Sequence, residues 1–307
     1  MIISLDAENN MTNHDTPSLH HITCPNAAGS HRMAYWQWGM ADHPHVVVCV
    51  HGISRQGRDF DVLARALIGA DGQRCRVVSV DVAGRGESDW LPEPAMYGVP
   101  QYASDMLTLL PSLQAQTIDW VGTSMGGLIG MAVCAQPPAN YTAVRKLVLN
   151  DVGPAIQWAA LQRISSYLGA DRRFASEQAA IDYMWSISSS FGPHTPQEWR
   201  ALSLPMLRAD GERTKLHYDP AINVAVKATT PEMAAQGEAM LWALYDSITA
   251  DTLLVRGAQS DLLSPATALA MTQRGPRAQL VEFEGVGHAP TLIAAQHVAT
   301  VTSFIFS

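Results

Sequence analysis

Ser124 stands in the run Gly122-Thr123-Ser124-Met125-Gly126. A serine hydroxyl is a poor nucleophile at neutral pH and needs a base within hydrogen-bond reach. The run fits G-x-S-x-G, and its surroundings give that short pattern weight. The apolar stretch IDWVG (118–122) reads as a buried strand, and SMGGLIGMAVCAQ (124–136) reads as a helix. A chain turning sharply from strand to helix holds the serine in a strained conformation and leaves no room for side chains two residues before or after it. Gly122 and Gly126 meet that need. The competing reading is a serine that merely caps the helix. Strand, paired glycines and helix together favour the nucleophile, raised at a helix N-terminus where developing negative charge is stabilised.

Such a serine needs a histidine and an acid, in the chain order Ser, acid, His. Four histidines follow Ser124: His194, His217, His288 and His297. The first two fall in a helical block and His297 falls in mid-helix. His288 lies in GVGHAP, a glycine-flanked loop just after the final strand, and is the expected base. For the acid we expect Asp261, which follows the strand DTLLVRGAQS, with Asp151 at the end of KLVLND as the rival. Its task is to fix the imidazole tautomer and stabilise the imidazolium.

Acyl transfer also needs two N–H donors for the tetrahedral oxyanion. Met125, after the nucleophile, is one expected donor. Ile53, after the strand-ending pair His51-Gly52, is the other. His51 is expected to orient this loop by hydrogen bonds rather than to do chemistry. Arg55 or Arg58, in the same loop, can grip a substrate carboxylate through a two-pronged pair, with a solvated or salt-bridged arginine as the ordinary alternative. Asp81, Arg85 and Ser88 in DVAGRGESD read as a turn network.

The elements that must position these residues are legible in outline. HRMAYWQWG (31–39), HVVVCVHG (45–52), RVVSVDVAG (76–84), IDWVG and KLVLNDVG (146–153) read as strands, with helical spacing in RDFDVLARALIGA and YASDMLTLLPSL between them. Strand and helix alternate with short links, which predicts an α/β fold with a doubly wound, mostly parallel sheet. The sheet resumes at DTLLVRGAQSD (251–261) and ends with AQLVEFEGVGH (278–288) and a last helix. Residues 154–245 show amphipathic segments with no strand between them, and read as an inserted helical block. The expected division is an N-terminal arm (1–30), a core (31–153 and 246–307) and the insert (154–245). Trp158, Trp185, Trp199 and Trp242 lie in that insert. Trp185 is expected to line the substrate pocket with other aromatics; the alternative is that they pack the insert's own core.

Composition narrows the class. A net charge of −8 and pI near 5.7 argue against a nucleic-acid or anionic-membrane partner. No stretch approaches the ~18 apolar residues of a transmembrane helix, and MIISLDAENN lacks the basic start of a signal peptide. The four cysteines show no metal spacing, so reduced thiols in a cytoplasmic protein are expected. Neither HExxH nor a dinucleotide-binding GxGxxG is present, and serine-based acyl transfer calls for no cofactor and no metal. The expected partner is a small ester-like molecule.

These motifs resemble the α/β-hydrolase superfamily over about residues 31–305. VCVHGIS resembles its oxyanion loop, DVAGRGESD its D-x-x-G-x-G-x-S turn, GTSMGG the nucleophile elbow, RGAQSDLLSP the acid loop and GVGHAP the histidine loop. The resemblance implies a helical cap over the site and a serine hydrolase of carboxylic esters. Alternatives with the same triad are a C–C bond hydrolase or an enol-lactonase, which the S-M-G-G elbow also fits. A non-catalytic ligand-binding receptor is a third reading.

Overall fold

The structure is a computed structural model that describes residues 16–136 and 140–307. Its central sheet has eight strands in the order β1-β2-β4-β3-β5-β6-β10-β11. They are β1 (Ser18–Asn26), β2 (Gly29–Trp38), β3 (His45–Val50), β4 (Arg76–Asp81), β5 (Thr117–Thr123), β6 (Val144–Asn150), β10 (Asp251–Gly257) and β11 (Gln279–Phe283). β2 runs antiparallel to both its neighbours, β1 and β4, and all the other pairings are parallel, so the expected fold class is found.

The arm expected over 1–30 is partly sheet. Ser18–Asn26 forms β1, paired along its whole length with β2. Its polar, histidine-bearing sequence suits an edge strand, whose outer side faces water. Residues 1–15 lie outside the described residues.

Strand alternation divides the core. Val46, Val48 and Val50 point to one face, and Val47 and Cys49 to the other. On the first face lie α2 (Val99–Ser112), α3 (Met125–Cys134), α8 (Pro231–Asp246) and α9 (Pro265–Met271), through Met106, Leu109, Ile129, Tyr245 and Met271. On the second lie α1 (Asp61–Ile68) and α10 (Ala295–Phe306), through Leu63, Leu67, Val301 and Phe304. Apolar burial on both faces explains why the central strands are continuous apolar runs.

Between β6 and α8 the chain leaves the sheet. This insert carries α4 (Trp158–Tyr167), α5 (Glu177–Ser188), α6 (Pro196–Ser203) and α7 (Asn223–Ala228). It is not wholly helical. β7 (Arg173–Phe174), β8 (Leu207–Asp210) and β9 (Arg213–Leu216) form a small antiparallel sheet ordered β7-β9-β8. Strands of two to four residues rich in charge carry no readable alternation, which is why only helices were expected there. α8, placed in the insert from sequence, packs against α3. Among the described residues, no helix is long and apolar enough to cross a membrane.

Candidate active site

Ser124 sits between the last residue of β5 and the first of α3, with φ +52° and ψ −116°. That backbone is strained for a residue bearing a side chain. The packing that maintains it is severe. A Cβ at Gly126 would run into the Val50 carbonyl, and one at Gly122 into the Gly126 carbonyl. The Ser124 N–H is held by the Asn150 carbonyl at 2.9 Å, which ties the elbow to β6.

Ser124 Oγ donates to His288 Nε2 at 2.9 Å. His288 Nδ1 donates to Asp151 Oδ2 at 2.7 Å. This second contact corrects the sequence expectation: the carboxylate at the imidazole is the rival, Asp151, and not Asp261. Asp151 is the residue after β6, completely buried, with φ +56°, a left-handed conformation that Asp tolerates better than most residues. Its carboxylate also accepts from the Gly257 N–H at 2.9 Å and the Ser260 hydroxyl at 2.6 Å. Asp261 turns outward, where Arg163 of α4 grips both its oxygens at 2.6 and 2.9 Å. Burial alone would push Asp261 up, but the Arg163 fork outweighs this and holds the carboxyl below the usual range.

The His288 loop is fastened from both sides. Asn150 donates to the Pro290 carbonyl at 2.8 Å and to Thr123 Oγ1 at 2.9 Å, linking the His288 loop to β5. From the insert, Ser190 Oγ donates to the His288 carbonyl at 3.1 Å, and its own carbonyl accepts from the Gly287 N–H at 2.6 Å.

Ile53 and Met125 both border the cavity above Ser124. As the first residue of α3, Met125 presents one of the N–H groups that a helix start leaves free. At Gly52, the position a Cβ would occupy is 3.7 Å from the Ser124 side chain, so the loop passes close by. His51 is fully buried, and desolvation lowers its pKa to about 3. It accepts from the Val82 N–H through Nε2 at 2.9 Å and donates through Nδ1 to the Gly52 carbonyl at 2.7 Å. That carbonyl shares a peptide unit with the Ile53 N–H, so a neutral His51 orients the candidate donor. Asp81 accepts from the Gly57 and Glu87 N–H groups and from Trp36 Nε1, which makes DVAGRGESD a turn network.

Of the two residues expected to contact substrate, Arg55 borders a second, smaller cavity that reaches Ser124 and His288, and Trp185 borders no cavity at Ser124. Arg55 gives its fork to Asp59, at 2.8 and 2.7 Å, and one more bond to the Leu202 carbonyl at 3.0 Å. Arg58 is likewise spent on Asp61. Trp185 lies away from Ser124, against Trp199 and His194 on the insert's outer side. The larger of two cavities that reach Ser124 has a volume of about 290 Å³ and a mostly aliphatic wall, including Leu128, Val152, Ile156, Ile164, Ile222 and Val226. None of the insert's tryptophans borders it. Sequence reasoning also missed Ser260, hidden beside the more conspicuous Asp261.

Elsewhere, Cys24, His31 and Asp105 bring ligand-type atoms within 4.8 Å of one another. Their polar atoms are engaged: His31 bonds Asn26 at Nδ1 and Asp105 at Nε2, and Asp105 also accepts from Gln101. This is a buried structural knot between β1, β2 and α2.

Residues 47–301 match the model of the alpha/beta hydrolase family. The chain is 47% identical to a 3-hydroxybutyrate-oligomer hydrolase of Cupriavidus necator, covering 94% of this chain and 98% of that protein. It is 26% identical to a 2-(acetamidomethylene)succinate hydrolase of Mesorhizobium japonicum, covering 83% and 86%. A solved alpha/beta hydrolase from Novosphingobium aromaticivorans superposes with TM-score 0.80 at 30% identity, covering 94% and 98%. The chain belongs to the alpha/beta hydrolase family and is a hydrolase.

Proposed function

We propose that the chain hydrolyses short linear oligoesters of 3-hydroxybutyrate through an acyl-enzyme on Ser124. The observation that carries the reading is the unbroken relay from Ser124 Oγ through His288 to Asp151, opening on a small aliphatic cavity. The substrate class rests on the Cupriavidus necator relative. A cavity with an aliphatic wall suits chains whose repeating unit carries one methyl group and no charge.

Asp151 holds the Nδ1 proton, which leaves Nε2 free to take the proton of Ser124. Ser124 Oγ then bonds the ester carbon, and the carbonyl electron pair moves onto oxygen. The N–H groups of Ile53 and Met125 receive that oxyanion. Collapse breaks the ester C–O bond, and the His288 imidazolium returns its proton to the departing alcohol oxygen. Water, deprotonated by His288, releases the acid. The insert acts as the cap that excludes bulk solvent and limits substrate size.

The test is hydrolysis of 3-hydroxybutyrate dimer and trimer, followed by product chromatography. Wild type is expected to yield monomer, and Ser124→Ala to retain no more than about 10⁻³ of the rate. Equal turnover by Ser124→Ala would reject the nucleophile. Turnover of simple butyrate esters with none of the dimer would reject the substrate class. C–C hydrolysis and lactone opening receive no support from the arginine loop, because Arg55 and Arg58 are both committed to carboxylates of their own chain.

A further inference from the structure

Arg85 is 1% exposed and borders the cavity at Ser124. Its guanidinium donates through Nε to the Ile53 carbonyl at 2.9 Å. Through Nη1 it donates to the Ala83 carbonyl at 2.7 Å and the Tyr102 hydroxyl at 2.8 Å. Nη2 has only a weak acceptor, Met125 Sδ, at 3.7 Å. The guanidinium also lies over the rings of Tyr97 and Tyr102, at 5.8 and 5.1 Å. Every partner is neutral. Among the described residues, no carboxylate oxygen lies within 4.0 Å of it. The Asp219 carboxylate is reached only through the Tyr97 hydroxyl and is engaged there and at the Ala221 N–H.

A buried cation without a counter-ion is costly, and one is normally paired. Arg85 touches both residues expected to supply the oxyanion donors, Ile53 by its carbonyl and Met125 by its sulfur. We propose that Arg85 is a positioning residue for the oxyanion site, and that its missing counter-charge is the oxyanion itself. This inference rests on the acyl-enzyme reading above. The Nε bond fixes the Ile53 residue against the elbow. The charge, undiluted by a resident carboxylate and shielded from water, favours the tetrahedral state over the neutral ester. That is differential binding, which lowers the barrier without tightening substrate. The apolar wall has the same effect, since it leaves the field of Arg85 unscreened.

The experiment compares wild type, Arg85→Gln and Arg85→Lys with 4-nitrophenyl butyrate as substrate. Inhibition by an alkyl trifluoromethyl ketone is measured alongside. Ser124 adds to the ketone carbon, its proton passes to His288, and the adduct carries the oxyanion. Arg85→Gln is expected to lose about 10²-fold in kcat with KM changed less than about threefold, and ketone affinity is expected to fall in parallel. Arg85→Lys, which keeps the charge, is expected to hold ketone affinity within about tenfold of wild type. A folded Arg85→Gln with unchanged kcat overturns the proposal. So does a loss confined to KM, and seen only with esters bearing a carboxylate, because Arg85 would then be reading substrate charge. Where Arg85→Gln does not fold, Arg85→Lys decides: complete loss of ketone affinity in a folded protein contradicts the electrostatic role. Fluorophosphonate labelling of wild-type Ser124 separates the two levels. No label sinks the acyl-enzyme reading, whereas label with an indifferent Arg85→Gln sinks only this inference.

Discussion

Asp151 and Asp261 follow two neighbouring strands, β6 and β10, and both precede His288 in the chain. One faces the interior and the other faces the insert. Asp151 has no solvent exposure and receives three donors: His288 Nδ1, the Gly257 N–H and the Ser260 hydroxyl. Asp261 is 46% exposed at its side chain and is held by Arg163 of α4. The difference lies in what surrounds each carboxylate. A buried carboxylate keeps its charge only when donors replace water. At Asp151 the core supplies two of them and the imidazole supplies the third. At Asp261 solvent and one arginine suffice, so that carboxylate fastens the insert to the loop after β10.

The largest break in the comparison is Asp151→Asn against Asp261→Asn. Asn at 151 presents an amide that no longer fixes the Nδ1 proton, and kcat is expected to fall about 10³–10⁴-fold. Asp261→Asn is expected to stay within about threefold, since it touches neither imidazole nor serine. Steady-state kinetics on both variants checks this.

Next is Ser260→Ala. It removes one hydrogen bond to a charged group, worth about 1.5–3 kcal/mol. The Gly257 N–H and His288 remain on the carboxylate. A decrease of about tenfold or more in kcat with little change in KM is expected. An unchanged kcat would show that Asp151 is held without Ser260.

Arg163→Gln sharpens the other side. It frees α4 from the loop after β10, and α4 contributes Leu161 and Ile164 to the cavity wall. The expected result is a rise in KM of about threefold with kcat unchanged, the signature of lost uniform binding.

The smallest effect is on stability. The folded pKa of Asp261 lies below its ordinary value. Its contribution is therefore present above the unfolded pKa and is lost as pH falls through the folded one. Thermal unfolding of wild type between pH 5 and 3 should show a slight extra loss that Asp261→Asn lacks. The pair is part-exposed, so the difference is small.

This comparison also marks how far the sequence could be read. The strand-to-helix elbow at Ser124 was legible because its requirements are local: strand, two glycines and helix occupy consecutive residues. His288 was legible because few histidines follow the elbow and only one occupies a loop after the last strand. The carboxylate at the imidazole was not settled by such signals. β6 and β10 pair in parallel, so both carboxyl ends reach the same sheet edge, and either aspartate satisfies the order Ser, acid, His. The deciding facts are that Asp151 turns inward with φ +56° and that Ser260 and Gly257 face it. These contacts join residues about a hundred positions apart. Among the aromatics of the insert, Tyr167 and Phe191 border a cavity at Ser124, whereas the tryptophans do not, for a similar reason. Trp199 is buried within the insert, with its Nε1 donating to the Ile181 carbonyl, while Trp242 meets Tyr245 edge-on within α8. Composition reports that aromatics are present but not which way they point.

The most direct test of the central claim is the rate at which a fluorophosphonate labels Ser124 in wild type, Asp151→Asn and Asp261→Asn, followed by intact mass. The relay through Asp151 predicts labelling slowed by about 10³-fold in Asp151→Asn and unchanged in Asp261→Asn. Rapid labelling of Asp151→Asn beside a silent Asp261→Asn would contradict it.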